Sequence, residues 1–111
     1  GTVNYEKMKL DQAIADYSKA IQIEPNLALT YYNLGNAYKE LGILDQAIAD
    51  YSKAIQIEPK LAGAYFNRAA AYFMKHQYAK SWEDVGMLKA LGYAADSKFI
   101  KKLQEVSGLK E

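Results

Sequence analysis

The chain carries one histidine and no cysteine among its 111 residues, which leaves little from which to build a reaction centre. Catalysis needs a nucleophile with a base, a paired acid and base, or a metal cluster. His76 has no second histidine or cysteine with which to share a transition metal, and it reads as a solvent-facing turn residue. No metal and no cofactor is expected. The carboxylates recur: Asp11 with Asp45 and Asp16 with Asp50, each pair 34 residues apart. One structural cause then serves all four. Asp11 and Asp45 suit helix N-termini, where the helix dipole favours negative charge, and Asp16 and Asp50 suit a solvated face. Glu83 and Asp84 are adjacent and would leave a helix in different directions, so they make no acid/base pair. Gly35, Gly63 and Gly86 lie inside helical patterns rather than in a glycine-rich loop that cradles phosphate. No active site is expected, and the chain reads as a non-enzyme.

The elements that carry these residues repeat. Leu10 to Pro25 reads LDQAIADYSKAIQIEP, and Leu44 to Pro59 reads the same letters again. A period of 20 to 50 residues marks one supersecondary unit stacked on copies of itself, because a single unit cannot bury its apolar face alone. In the second unit Tyr31, Leu34, Gly35 and Tyr38 fall at helical spacing, with Gly42 as a stop. A second helix starts near Leu44 and Asp45, and its stripe Ala47, Ile48, Tyr51, Ala54 and Ile55 recurs at steps of three and four. Pro59 closes the unit. Two antiparallel helices joined by a short turn are expected, with Gly35 and Ala47 small enough for the axes to approach closely. A larger side chain at Ala47 would cost about 1–3 kcal/mol.

Composition bounds the function from outside. Half of the residues are hydrophobic and 24% are charged, with a net charge of +1, a folded profile without the clustered basic stripe of a nucleic-acid surface. No apolar run approaches the roughly 18–20 residues that cross a bilayer, and the opening GTVNYEKMKL lacks the form of a signal peptide. Without cysteine the redox compartment stays open, and cytoplasm is the default.

The second unit resembles the tetratricopeptide repeat family, whose pattern is Trp-x2-Leu-Gly-x2-Tyr, Ala-x3-Phe, then Pro. Here it reads Tyr31-x2-Leu34-Gly35-x2-Tyr38, Ala47-x3-Tyr51 and Pro59. The resemblance implies an all-α fold, a right-handed superhelical stack of antiparallel helix pairs, over a single domain of residues 1–111. Residues 1–26 are a partial repeat, mainly its second helix. Residues 27–60 are a full repeat, 61–94 a degenerate one, and 95–107 a capping helix. In the third unit Tyr65 and Tyr72 keep their places, while Arg68 replaces Leu34, Ser81 replaces Ala47 and Val85 replaces Tyr51. Gly92 ends that helix, Asp96 caps the next, and Phe99, Ile100, Leu103 and Val106 line one side of it. In the first unit Met8 stands at the turn position of Gly42. Two readings stay open: a fragment whose first helix lies upstream, or one continuous helix from Val3 to Ile23. Either leaves Ala13, Tyr17 and Ala20 incompletely covered.

In this family the first helices line a concave groove that takes peptides or partner proteins. Its positions map to Leu29, Tyr32, Asn33, Asn36, Lys39 and Glu40, and one period later to Gly63, Phe66, Asn67, Ala70, Phe73 and Met74. The second set is apolar enough to anchor a ligand side chain, unless Phe66 and Phe73 are spent on packing against neighbours or the cap. The family's clamp for acidic chaperone tails is disfavoured. In one register Gly63 and Asn67 replace its lysine and arginine; in the other Asn36 and Asn67 match, but Tyr32 replaces the leading lysine and no third groove helix follows. The expected function is a protein- or peptide-binding scaffold without nucleic-acid or membrane partners. The alternative is a homo-oligomer formed through Ala13, Tyr17 and Ala20.

Overall fold

The computed structural model describes residues 2–108. Among them lie six helices and no strand: α1 (Thr2–Ile23), α2 (Ala28–Glu40), α3 (Leu44–Ile57), α4 (Ala62–Met74), α5 (Tyr78–Ala90) and α6 (Ser97–Ser107). Each helix packs on the next in sequence, and α2 also meets α4. The result is an all-α stack, 40 × 35 × 18 Å, thin enough for two helix layers.

Three turns are built alike. At each, a residue of positive φ follows the helix: Gly42 (φ +78°), His76 (φ +61°) and Gly92 (φ +90°). The amides after them close back on the helix, Ile43 on the Tyr38 carbonyl, Gln77 on Tyr72 and Tyr93 on Leu88, at 2.9–3.0 Å. This is the reversal that a left-handed residue makes possible. Met8 holds the same place in the first unit, and there the helix runs on without a turn. The described residues of this segment form one continuous helix. Asp11 therefore lies in the middle of α1 and not at a helix N-terminus, whereas Asp45 does sit in the first turn of α3 and pairs with Lys75.

The core lies between α2, α3 and α4. Ala47, Tyr51, Ala54 and Ala64 are all 0% exposed. Gly35 is required here: a Cβ on it would come within 2.8 Å of the Tyr51 ring and 3.2 Å of the Ala47 carbonyl. In the next unit the volumes trade places. Ala69 stands for Gly35, Val85 for Tyr51, and the buried Ser81 hydroxyl donates to the Ala69 carbonyl at 2.8 Å.

Asp50 departs from the expected solvated face. It is 6% exposed, and its Oδ2 has no hydrogen-bond partner. The amphipathic pattern of α3 alone does not reveal that burial. Its counterpart Asp84 is also buried but answered, by a bidentate pair with Arg68 (Nη2–Oδ1 2.6 Å, Nε–Oδ2 3.0 Å). Arg68 further donates to Ser52 at 3.0 Å, so one guanidinium joins α3, α4 and α5.

At the far end the Asp96 side chain accepts from the Phe99 amide at 3.3 Å and Gly108 (φ +70°) ends α6. Leu103 is completely buried, and the Trp82 indole donates to Ser107 at 3.1 Å.

Candidate protein-interaction site

The first helices α2 and α4 meet through polar side chains. Asn67 Nδ2 donates to Asn36 Oδ1 (2.8 Å) and to the Tyr32 hydroxyl (3.1 Å), and the Tyr51 hydroxyl donates to the same Asn36 oxygen at 2.5 Å. Burial first, and the neighbouring Tyr32 phenol second, lift the Tyr51 phenol well above its ordinary value, so it remains a donor. Tyr32 also packs its ring on Tyr51, with centroids 6.0 Å apart, and lies where a Cβ on Gly63 would touch it at 2.9 Å. The middle of the face is thus a braced carboxamide floor. Such a floor costs little reorganisation when it meets a polar ligand.

Towards the C-terminus the face turns aromatic. Phe66 and Phe73 on α4 both pack on Phe99 of α6, with centroids at 5.5 and 5.6 Å, and Phe73 also meets Tyr78 at 5.7 Å. Part of each ring is therefore spent on the cap. The rest of Phe66 borders an open pocket of about 580 Å³ lined also by Phe99, Lys98, Lys101 and Lys102 and by the carboxylates Asp96 and Glu105.

Of the groove residues expected from sequence, Tyr32, Asn36 and Asn67 are joined in one network, and Phe66 and Phe73 in one aromatic cluster. Asn33, Lys39 and Ala70 are half-buried, and Glu40 is exposed. Leu29 and Met74, at opposite ends, are 61% and 52% exposed, and Leu29 opens instead onto a dip shared with Asn26, Ile57 and Leu61.

Sequence reasoning missed the lysine edge. A further helix does follow on this face: α6 meets α4 through Phe99, which packs on Phe66 and Phe73. The residues preceding the three helices are Leu27, Leu61 and Asp96, a spacing of 34 and then 35. That extra residue brings Lys98 and Lys102 into the places that Gly63 and Asn67 hold in α4. Counting in strict 34s hides them; the capping signature of Asp96 was the signal that could have reset the count.

His76 is exposed at its turn, with Nδ1 2.6 Å from the Tyr78 hydroxyl. No group of three or more metal-ligating side chains occurs among the described residues, and no described helix is long and apolar enough to cross a membrane.

Comparison with known proteins agrees with the architecture. The model of the TPR repeat matches residues 1–42 and 35–75. No curated protein matches the chain. Among solved structures, the chain is similar to the first TPR of Spaghetti (RPAP3) bound to the HSP90 peptide SRMEEVD, with a TM-score of 0.81 and 23% identity, over 97% of this chain and 85% of that one. It is similar also to the Arabidopsis OM64 TPR domain, with a TM-score of 0.73 and 25% identity over the same shares. The identity to the first is low enough that the likeness speaks for the fold alone. The chain belongs to the tetratricopeptide repeat family, a non-enzymatic fold of protein-interaction scaffolds.

Proposed function

We propose that the face formed by α2, α4 and α6 binds a peptide segment that combines an apolar anchor with acidic groups. The observation that carries this reading is the pocket in which Phe66 and Phe99 stand beside Lys98, Lys101 and Lys102. An apolar side chain is held there by area removed from water, and a carboxylate beside it by charge-assisted bonds to ammonium groups. The carboxamide floor of Asn36 and Asn67 suits the backbone of an extended ligand, as side-chain amides both donate and accept. The Spaghetti domain that shares the fold is bound to a peptide ending Glu-Glu-Val-Asp, of the same acidic and apolar character. The protein thus works as a scaffold, holding a tail of one partner without altering it.

The experiment is a titration of the peptide SRMEEVD into the isotopically labelled chain, repeated with Lys98→Ala/Lys102→Ala and with Phe66→Ala. Chemical-shift changes are expected along α2, α4 and α6. The lysine pair should weaken binding about tenfold and remove most of its salt dependence, and Phe66→Ala should cost a similar factor. Shift changes confined to α1, or affinity indifferent to both variants while they remain folded, would sink the reading.

A further inference from the structure

The junction between α3 and α4 shows how the one between α5 and α6 would be filled if the repeat held. There Tyr51 is 0% exposed and Tyr65 4%, and the Tyr65 hydroxyl donates to the Pro59 carbonyl at 3.0 Å. Ile55 and Leu61 pack against the same core. Counting 34 residues on from α3, Val85 replaces Tyr51 and Lys89 replaces Ile55; counting 35 on into α6, Ile100 replaces Tyr65 and Asp96 replaces Leu61. Two phenol rings thus give way to smaller side chains, and two aliphatic side chains to charged ones. The connection is longer too, six residues against four. What remains between α5 and α6 is an open pocket of about 840 Å³, within the range of about 300–1,000 Å³ common to small-ligand sites.

The pocket's floor is aliphatic: Val85 is 3% exposed and Ile100 half-buried. Lys89 lines it from α5 and Lys101 from α6, with the Ser97 hydroxyl and the Gln104 carboxamide. No carboxylate lines it, and neither lysine pairs with one among the described residues. The pocket at Phe66 differs in this, since Asp96 and Glu105 offset its lysines. Two cations without a counter-ion, beside hydrocarbon, suit a ligand that brings both a negative charge and an apolar body. A packed helix is not that ligand. Gln104 stands where Ala69, 0% exposed, lets α5 cross close to α4, and a helix laid here would bury two unpaired ammonium groups at high cost.

We infer that this pocket binds a small carboxylic acid with an aliphatic chain. The carboxylate accepts charge-assisted hydrogen bonds from Lys89 and Lys101, and the chain covers Val85 and Ile100, removing them from water. Ser97 and Gln104 supply neutral donors beside the charge. One molecule so held ties α5 to α6 across their six-residue connection.

The test titrates decanoate into the isotopically labelled chain, with acetate and decanol as controls. Saturable amide shifts are expected at residues 89–97, Ile100 and Gln104, with a dissociation constant of about 0.1–1 mM for a ligand of this size. Acetate lacks the chain and decanol the charge, so each should bind at least about tenfold more weakly. Lys89→Gln, at a residue that does not line the pocket at Phe66, should weaken decanoate about fivefold. Ile100→Tyr restores the bulk of Tyr65 and should abolish binding, and its melting temperature tells a filled pocket from a lost cap. Saturating decanoate should raise the melting temperature of the protein. Decanol binding as tightly as decanoate overturns the proposal, because the lysines then select nothing. So do shifts centred on Phe66 and Phe99, and so does an affinity unchanged by Lys89→Gln. Displacement of decanoate by the peptide SRMEEVD, with shifts at residues 89–97, also overturns it and gives the pocket to a peptide acid.

Discussion

Asp50 and Asp84 occupy the same place in successive units, yet only Asp84 has a cation to answer it. Leu34 stands where Arg68 stands one unit later, so Asp50 is buried with one oxygen unpaired. Burial pushes its carboxyl up to about 6, against a smaller opposing pull from the Gln46 amide. A carboxyl raised in the folded state holds its proton longer there than in the unfolded chain, whose value is 3.8. Its cost is therefore absent below about pH 4 and complete above about pH 6, and stability falls as pH rises through that window. At about 1.4 kcal/mol per pKa unit the loss is at most about 3 kcal/mol. Urea denaturation of the protein and of Asp50→Asn should diverge between pH 4 and pH 7, with the variant more stable at pH 7. Parallel curves would show that Asp50 is ionised without cost. Leu34→Arg should bring the same gain by supplying the missing partner. None of this was legible beforehand. The letters of α3 give Asp50 the look of an outward residue, and only the packing of the stack makes it an inward one.

Between residues and the stack stand the turns, and one position decides each of them: Met8, Gly42 and His76. Glycine reaches positive φ without a Cβ penalty, histidine reaches it at a cost of about 1–2 kcal/mol, and methionine in α1 does not reach it at all. The sequence shows both substitutions for glycine, Met8 and His76, and it shows the helices on either side of Gly42 from their periodicity. It does not show that His76 keeps the turn while Met8 loses it, because both are simply non-glycine by pattern. His76→Gly should raise the unfolding midpoint, offset in part by the lost contact with Tyr78. Met8→Gly should lower stability by about 1 kcal/mol and speed amide exchange in residues 4–9 while α3 exchange is unchanged. Equal protection on both sides of residue 8 in that variant would show that α1 does not depend on Met8 for its continuity. The cap was easier to foresee, with Asp96 and Gly108 marking its ends, but its one-residue offset kept Lys98 and Lys102 out of the expected site.

The whole molecule is open rather than spherical. Its radius of gyration is 14.6 Å, against about 13 Å for a compact chain of this length. Contacts run between neighbours, as in any stacked repeat. That architecture was the most legible feature, because the repeated letters carry it redundantly. The candidate site was legible where repetition lapses into aromatic residues, at Phe66 and Phe73, and not where it is a matter of which faces α6 meets. The duplication also bears on how the chain finds its fold. During folding, α2 has identical faces on either side of it. Four residues link it to α1 and three to α3, so loop closure hardly discriminates between them. A chain in which α2 lays Gly35 against Tyr17 satisfies α1 and strands α3, and it must let go before the native pairing forms. Refolding should accordingly show a slow phase beside the main one, and Ala13→Leu, by spoiling the decoy face, should abolish it. A single phase in both proteins would mean that the left-handed turn at Gly42 selects α3 before α1 can compete. Perfect repetition makes a stable stack and, on the way there, a choice between twins.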